Sequence, residues 1–500
     1  MKWNRWMMAG IGLNVAAMWA CPSLAANYSD QGGDSKTFGL EAKATGEAEG
    51  DRDLGTRGGG EVNGIGIDLR PWAYGQWGNW SGYAMGQLVT ATDTIQTDPL
   101  DSPANNPDAK GQNISHNRDA SDTYLALREL WVGYSGLTPY PGEILKFGRQ
   151  RLRNDDGEWR DNYIEALNWD FDTTLLQTHL GAAERFSDYR TDYSQLSPTD
   201  KDRLHVYGDV YYQWLPGQWA GLRMHHVHDD GDLARQGHLM DDLDKTRNGN
   251  LTWLGLDLNS DAYDFHNSHT LNYWGSLTWV TGHQDQNHPT VGADGYLRAG
   301  AKDGSDVDGW ATDLGLRVHV ASEWQVGAAY SQASRNYQQN GLQSNRSNWT
   351  GTRSRVARYG EAYQPDMANV ESAALFTTWR LREDDDASLI YYKFRRVDGD
   401  SAIGSSGIDP AADSSGDVSA NSLSTLPLRD GSHDLGQEMD VVLTHYFKEG
   451  PLLASSAYPS FDDPSALVRL RAGIFKAGDA YGSGVDTYMH RAIVDLVWRF

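Results

Sequence analysis

Residues 466–500 alternate between apolar and polar side chains with a period of two, on either side of a glycine-rich turn. One face is apolar and the other charged: Val468, Leu470, Ala472 and Ile474 oppose Arg469 and Arg471, then Ala492, Val494, Leu496, Trp498 and Phe500 oppose Arg491, Asp495 and Arg499. Successive side chains of a β-strand point to opposite faces, so the pattern predicts a hairpin. A soluble sandwich would bury the apolar row and a membrane barrel would turn it to lipid, so this hairpin alone leaves both open.

The same rhythm recurs along the chain: a strand of about ten residues, a short turn, another strand and a long polar loop. Short connections fall near residues 78–79, 136–141, 216–218, 321–323 and 384–386; long ones fall at 94–121, 154–163, 188–202, 230–248, 284–305, 335–369 and 399–434. Short turns at one end and long loops at the other are typical of outer-membrane barrels, in which the turns are periplasmic and the loops extracellular. The spans number roughly eighteen, as an even-stranded barrel requires. We therefore predict an all-β fold, one transmembrane antiparallel β-barrel over residues 27–500. A lumen of ~16–18 strands is too wide for wall side chains to fill.

In two strands, strict alternation does not place all charged residues on the inner face. Arg128 and Glu129 are adjacent, so the strand must bulge there or one of the two must face outward. In residues 145–153, Leu145 and Phe147 share parity with Arg149, Arg151 and Arg153, which requires a bulge or a departure of the strand from the bilayer. The pattern does not choose between these alternatives.

Composition supports a membrane-embedded β-protein. Trp and Tyr (19 and 25) outnumber Phe (11), and they are the aromatic residues that prefer membrane–water interfaces. Mean hydropathy is −0.61, and no apolar run of about 18 residues follows the N-terminus, which excludes spanning helices. A secreted β-protein would share this profile.

Residues 1–26 have the form of a cleaved secretory signal: a basic start, an apolar stretch and small residues before the expected cleavage point. Cys21, the only cysteine, lies inside it, so we expect no thiol chemistry in the mature chain; a lipoprotein cleavage box ending at Cys21 is the alternative. The net charge of −25 argues against a nucleic-acid partner.

Many arginines fall on the predicted inner faces of the strands. An arginine on the lipid face near mid-bilayer costs about 2–4 kcal/mol, so a barrel must turn these residues inward. The inward set is Arg70, Arg128, Arg151, Arg223, Arg317, Arg380, Arg382, Arg395, Arg469, Arg471 and Arg491, and the loop 335–369 adds Arg346, Arg353, Arg355 and Arg358 if it folds into the pore. Either these arginines pair with lumen acids such as Asp68, Asp313, Asp440 and Asp495, or they form the cationic rings with which pores select anions. Acids on surface loops do not exclude such a ring, because salt screens them beyond about 8 Å.

Other chemistry is weakly indicated. His225, His226 and His228 could bind a metal, and Asp303, Asp306 and Asp308 resemble part of a calcium loop, but the loop's terminal glutamate is missing. The chain has no GxSxG motif and no phosphate-binding glycine motif. We predict no catalytic site and no cofactor.

Seven long stretches resemble the alginate export family of outer-membrane porins, essentially from end to end after the signal. They are GIDLRPWAYGQWGNW (66–80), ILKFGRQRLR (144–153), IEALNWDFDTTLL (164–176), DKTRNGNLTWLG (244–255), SNRSNWTGTRSRVARYGEAY (344–363), PSALVRLRAGIFKAGDAYG (464–482) and MHRAIVDLVWRF (489–500).

The resemblance implies a monomeric, eighteen-stranded barrel that conducts the polyuronate alginate from periplasm to exterior, with a periplasmic scaffold lipoprotein of TPR repeats as partner. It implies an extracellular lid at 94–121 and a periplasmic lid at 449–464. It also implies a cationic constriction of Lys43, Arg70, Arg128, Arg151, Arg346, Arg355, Arg469 and Arg471, with Asp161 and Asp192 as acidic partners; Arg353 joins this pore set from the arginine-rich loop.

Three functions remain to be weighed. The first is a passive, anion-selective conduit for alginate. The second is an uptake porin for small anionic sugars or organic acids, which the same arginines would serve. The third, an outer-membrane enzyme or adhesin, lacks a nucleophile motif in the sequence.

Overall fold

Eighteen antiparallel strands form a closed barrel in the computed structural model. The structure describes residues 26–29, 35–52, 54–55, 62–92, 123–192, 196–240, 244–265, 269–287, 290–291, 297–382, 384–408, 428–447, 466–482, 485 and 488–499. Of the segments predicted above, most of 1–26, residues 94–121, residues 449–464, part of 399–434 and Phe500 lie outside this set. No helix in the described part of the chain has the length and apolar character needed to cross a membrane.

The barrel strands run in chain order and each pairs with its neighbours. Their bounds are β1 Ser35–Gly50, β2 Val62–Trp77, β3 Trp80–Ala91, β4 Thr123–Tyr134, β5 Glu143–Arg153, β6 Asp161–Asp172, β7 Leu176–Glu184, β8 Arg203–Leu215, β9 Gln218–Asp229, β10 Arg247–Asn259, β11 Leu271–Asn287, β12 Lys302–Ala321, β13 Trp324–Ala333, β14 Val370–Arg382, β15 Asp385–Arg396, β16 Asp434–Phe447, β17 Ala466–Ala477 and β18 Tyr488–Arg499. The last strand returns to the first, from Glu41 opposite Arg499 to Gly50 opposite His490. The predicted strand number and barrel class are confirmed.

Short paired segments and one turn of 3₁₀-helix accompany the barrel. Ala26–Ser29 pairs with β1, Thr290–Val291 with Leu297–Arg298, and Arg346–Ser347 with Val356–Ala357. The 3₁₀ turn, Asp479–Tyr481, lies between the last two strands.

The outer surface of the wall is apolar, as the alternation predicts. Leu222 and Met224 are exposed on β9, while Arg223 and His225 between and after them are buried. The final hairpin follows the same rule, since Ile474 and Val494 are exposed and Asp495 is buried. Charged residues therefore enter the lumen wherever strand parity requires it.

A bulge in β4 resolves the first parity conflict. Glu129 lies opposite Met85, but Leu127 lies opposite the next residue, Gly86, so Arg128 is the extra residue. Arg128 and Glu129 are consequently both buried. One inserted residue turns two neighbouring side chains to the same side of the sheet.

The second conflict is resolved because β5 and β6 leave the wall together. β5 pairs with β4 only as far as Arg149, and β6 pairs with β7 only from Glu165 onward. Residues 149–164 between these points form a hairpin tip whose residues are mostly buried inside the lumen. The vacated edge of β4 is covered by residues 189–191, where Leu127 N–H donates to the Tyr189 carbonyl at 3.1 Å.

Gly148 is where β5 bends inward. Its φ of +124° is unfavourable for residues with a side chain, and a Cβ there would collide with the Leu130 carbonyl oxygen. We expect Gly148→Ala to lower the free energy of unfolding by about 1–3 kcal/mol, measured as a lower urea midpoint of the folded barrel. Gly46→Ala is the matched control, because an added Cβ at Gly46 meets no atom within 4 Å. Equal midpoints for the two variants would contradict strain at Gly148.

Much of the lumen is filled by the connection between β13 and β14, residues 334–369, hereafter the inserted loop. Its aromatic side chains pack on aromatic wall residues: Trp349 lies 4.7 Å from Phe376 and Tyr363 lies 4.3 Å from Phe475, between ring centroids. These four side chains are buried. The loop thus folds into the pore, which was the condition for its arginines to join the inward set, and the lumen is partly filled.

Candidate functional site

Two carboxylates on β16 dock the inserted loop through its backbone. Glu438 accepts hydrogen bonds from the N–H groups of Ala362 (2.7 Å) and Tyr363 (2.9 Å), and Asp440 accepts one from Glu361 N–H (2.9 Å). All of these residues are buried. Buried acceptors that bind backbone donors fix the position of this turn, and with it the side chain of Glu361.

Asp495 is the centre of a cationic group on β1, β17 and β18. Its carboxylate pairs with Lys43 at 3.2 Å, with Arg469 at 3.0 Å and with Arg471 at 3.0 Å. Thr45 donates to the same carboxylate at 3.1 Å. The three cations meet one acid because strand parity and register bring all of these positions to adjacent places on the inner wall.

Glu361 joins the wall group to the inserted loop. Arg346 binds it through two nitrogens at 3.1 and 2.9 Å, and Arg471 lies 3.6 Å away. Burial alone would raise the pKa of Glu361, but Arg346 and Arg471 lower it to about 2. Glu361 is therefore ionised under physiological conditions and bridges the two arginines.

Asp161, at the tip of the inward hairpin, is the third acid. Arg151 Nε donates to it at 2.9 Å, Ser344 Oγ donates at 2.7 Å, and Arg355 forms an ion pair with it. Arg355 also donates to the backbone carbonyl of Arg346. The loop and the hairpin tip are thus joined by charge-assisted hydrogen bonds inside the lumen.

These three groups form one continuous chain of contacts, hereafter the charge bridge. It runs from β17 through Asp495, Arg471, Glu361, Arg346, Arg355 and Asp161 to Arg151 on β5. The inner side chains of β2–β4 include the buried Asp68, Arg70, Gln87 and Arg128. Arg70 donates to Asp68 at 2.9 Å and Arg128 lies 4.1 Å from the Tyr163 ring centroid.

The cations of the charge bridge differ in the fraction of the side chain that is exposed. The side chains of Arg151, Arg355 and Arg469 are 26%, 17% and 16% exposed. Those of Lys43, Arg346 and Arg471 are buried. The first three are therefore partly accessible to solvent, while the other three are enclosed by protein.

The structure brings most of the sequence-predicted pore residues to the charge bridge or to the wall facing it. Asp192 lies instead against Arg190, with 2.6 Å between Arg190 Nη2 and the carboxylate. Arg353 belongs to the inserted loop but lies over the rings of Phe265 and Tyr446, away from the three acids.

The prediction that Arg395 faces inward is wrong, and Arg382 lies at the edge of the wall. The side chain of Arg382 is 82% exposed beside the β14–β15 turn, where the register shifts after Arg380. Arg395 is exposed as well, and its neighbour Arg396 is buried, donating to the carbonyls of Ser432 and Ser401. The alternation of β15 is regular here, with the even-numbered residues from Ser388 to Arg396 buried, so Arg395 takes the outer face.

Other inward arginines hold the inserted segments to the wall. Arg223 pairs with Asp257 at 2.6 Å and with Asp156 of the hairpin tip. Arg358 of the inserted loop pairs with Glu158 at 2.9 Å and with Asp313 of β12. The alternative that lumen arginines pair with lumen acids is thus correct for these residues.

Sequence reasoning missed Glu361, the central acid of the charge bridge, and the docking pair Glu438 and Asp440. An acid soon after four arginines within one loop was a usable signal for Glu361. Asp440 was proposed as an arginine partner, whereas its contact is with the backbone of the inserted loop.

The residues considered for metal binding are separated by strand alternation. His225 is buried beside His205, 2.9 Å between ring nitrogens, whereas His226 bonds Thr252 on the opposite face. Asp303, Asp306 and Asp308 lie in the extended strand β12. Within the described ranges no three histidine or acidic residues are grouped to hold a metal ion.

Residues 34–495 match the profile of a family described as alginate export. The chain is 62% identical over 504 residues to the alginate production protein AlgE of Pseudomonas syringae pv. tomato, with 100% of both chains covered. It is 52% identical to the Pseudomonas aeruginosa protein of the same name (98% of this chain, 96% of the relative) and 43% identical to that of Azotobacter vinelandii (98% of each).

Solved structures resemble the barrel at low sequence identity. Pseudomonas aeruginosa OccK8 (OprE) matches with a TM-score of 0.53 and 11% identity, covering 93% of this chain and 98% of its own. Acinetobacter baumannii OccAB4 matches with a TM-score of 0.52, at the same identity and coverage. At this identity the likeness shows the fold alone.

Proposed function

The chain belongs to the alginate export family, and on that premise we propose that its barrel conducts the polyuronate alginate through a passive, anion-selective pore. The protein is a multi-pass outer-membrane β-barrel. The charge bridge is the observation that carries the proposal. In it six cations, Lys43, Arg151, Arg346, Arg355, Arg469 and Arg471, share three carboxylates, those of Asp161, Glu361 and Asp495.

An excess of cations suits an anionic polymer. Alginate carries one carboxylate per sugar, so a segment inside the membrane needs positive charge along its route. Binding must nevertheless stay weak and divided among sites, or the polymer would not leave. The three acids weaken the binding of the polymer, since each partly neutralises the arginines that it binds. No bond is made or broken in this mechanism, and polymer synthesis supplies the driving force.

Arg469 gives the sharpest test of the constriction. In planar bilayers, we expect the reversal potential of wild type in a salt gradient to show anion preference. Arg469→Gln should reduce that preference roughly two- to fivefold, since removing one charge near the path changes an ion's energy by about 0.5–1 kcal/mol. Arg382→Gln is the matched control, because that arginine lies at the β14–β15 turn with 82% of its side chain exposed. Cation selectivity in wild type, or equal selectivity of the two variants, would overturn the anion-selective pore.

An uptake porin for small anionic sugars or organic acids is the alternative occupant of the same pore. Arg151, Arg355 and Arg469, the partly exposed cations, would bind any carboxylate. Secretion by cells distinguishes export from uptake. A strain that lacks this protein but secretes normal amounts of alginate would favour uptake, whereas a strain that retains the polymer would favour export.

The signal was predicted from the N-terminal residues, and the lids, the monomeric state and the partner follow from the family resemblance. We propose residues 1–26 as a cleaved signal, 94–121 as an extracellular lid and 449–464 as a periplasmic lid. We also propose action as a monomer, which the closed wall supports because a closed barrel leaves no sheet edge to pair with a second copy. A periplasmic TPR lipoprotein is the proposed partner.

A further inference from the structure

Three arginines converge at the short-turn end of the barrel, outside the charge bridge. Arg317 lies near the end of β12, Arg380 near the end of β14, and Arg353 on the part of the inserted loop that reaches this end. Arg317 donates to the Trp349 carbonyl at 2.7 Å and Arg380 donates to the Gly351 carbonyl at 2.9 Å. Both wall arginines therefore hold the same turn of the loop, residues 349–351.

In the described part of the chain these arginines, unlike those of the charge bridge, have no acid partner. No carboxylate oxygen there lies within 4.0 Å of a guanidinium nitrogen of Arg317, Arg353 or Arg380. Asp386 is a nearby acid, and it accepts the backbone N–H of Arg353 at 3.2 Å rather than the side chain. Three guanidinium groups without a direct carboxylate partner among these residues make the site positive.

Part of this group is accessible from the lumen. Arg353 and Arg380 are partly exposed, whereas Arg317 is buried behind them. The Arg353 guanidinium carbon lies 5.2 Å from the Phe265 ring centroid and 5.0 Å from that of Tyr446, so the two rings hold the side chain without neutralising it. Arg317 Nε and Gln325 Oε1, both buried beside Gly351, have no hydrogen-bond partner.

We propose that Arg353 and Arg380, with Arg317 behind them, form a binding site for a uronate carboxylate at the periplasmic mouth of the pore. This site rests on the proposed function and adds a binding site beside the charge bridge. Short turns mark the periplasmic end of an outer-membrane barrel, where an exported polymer arrives. A cationic mouth raises the local concentration of an anionic chain and its rate of capture.

The experiment measures capture from each side of the membrane separately. The full-length barrel is reconstituted in a planar bilayer, and a uronate hexasaccharide is added to one chamber at a time while blocking events are counted. We expect Arg353→Gln and Arg380→Gln each to lower the blocking rate about three- to tenfold from one side only, with a weaker effect at high salt. Arg469→Gln should lower the rate from both sides, because its position is shared by both routes.

Controls separate this site from folding and from general charge. Arg382→Gln, at the β14–β15 turn and highly exposed to solvent, should leave both rates unchanged. Arg353→Lys keeps the charge and should retain most of the capture rate, whereas a purely structural role of Arg353 would predict the same loss in Arg353→Lys and Arg353→Gln. A neutral hexasaccharide of similar size should show no difference between wild type and variants.

Failure of the site and failure of the proposed function give different results. If wild type is anion-selective and blocked by the uronate, but Arg353→Gln and Arg380→Gln match it from both sides, the mouth site is wrong and the conduit stands. Equal reduction from both sides would also overturn the mouth site. If wild type is cation-selective or unaffected by the uronate from either side, the conduit itself is wrong.

Discussion

Replacing residues 342–366 with a short glycine–serine linker is expected to raise single-channel conductance roughly three- to fivefold, since barrels of this strand number otherwise enclose an aqueous channel. The inserted loop supplies Glu361, Arg346 and Arg355 to the charge bridge. Its removal should therefore also reduce anion preference. The barrel should still assemble, because the backbone hydrogen bonds of the wall are made between strands and not to the loop.

A milder change distinguishes loop docking from loop presence. Glu438→Gln with Asp440→Asn weakens the bonds that these side chains accept from the N–H groups of residues 361–363 while leaving the loop in place. We expect unstable, flickering conductance between the wild-type level and that of the shortened loop. Wild-type conductance in the shortened-loop variant would show that the loop does not limit the pore.

The wall of the barrel was predictable because its physics is local. Lipid on one side and water or packed protein on the other impose a period of two, and Leu222 against Arg223 or Val494 against Asp495 display it directly in the sequence. The number of strands follows from counting such segments. Even the two conflicts, at Arg128 and at residues 145–153, correctly marked places where the sheet is irregular.

The contents of the lumen were less predictable because they depend on contacts between distant residues. Nothing near Asp161 in the chain states that Arg355, nearly two hundred positions later, pairs with it. The inward bend at Gly148 depends on how closely its backbone approaches Leu130. Arg395 was assigned to the wrong face, since β15 alternates without interruption from Ser388 to Arg396 and Arg395 shares the exposed face of Leu389.

The alternation of apolar and polar residues also could not predict which charged side chains pair with each other. The sequence places cations on inner faces, but whether a given arginine anchors a segment or lines open space depends on its partners. Arg223 anchors the hairpin tip, whereas Arg469, equally inward by parity, keeps part of its side chain exposed. Only the folded lumen separates these two roles.

Asp495→Asn is expected to destabilise the barrel by about 3–5 kcal/mol, because removing one member of a buried ionic group leaves the others without compensation. Here one carboxylate, fully buried, serves Lys43, Arg469 and Arg471. The midpoint of urea unfolding and the temperature at which the folded band disappears from an SDS gel measure the loss. Asp385→Asn is the matched control, since Asp385 pairs with His445 at 2.6 Å in a partly exposed position at the turn end.

A second substitution tests whether excess charge causes the loss. Lys43→Met in the Asp495→Asn background removes one of the three cations that Asp495 binds and should recover part of the midpoint, whereas loss of the Thr45 hydrogen bond alone would not be recovered. The Asp495→Asn protein that does assemble should prefer anions more strongly than wild type, because the acid that moderates Arg469 is gone. An unchanged midpoint in Asp495→Asn would mean that water or other groups compensate these cations, and unchanged selectivity would remove Asp495 from the pore's electrostatics.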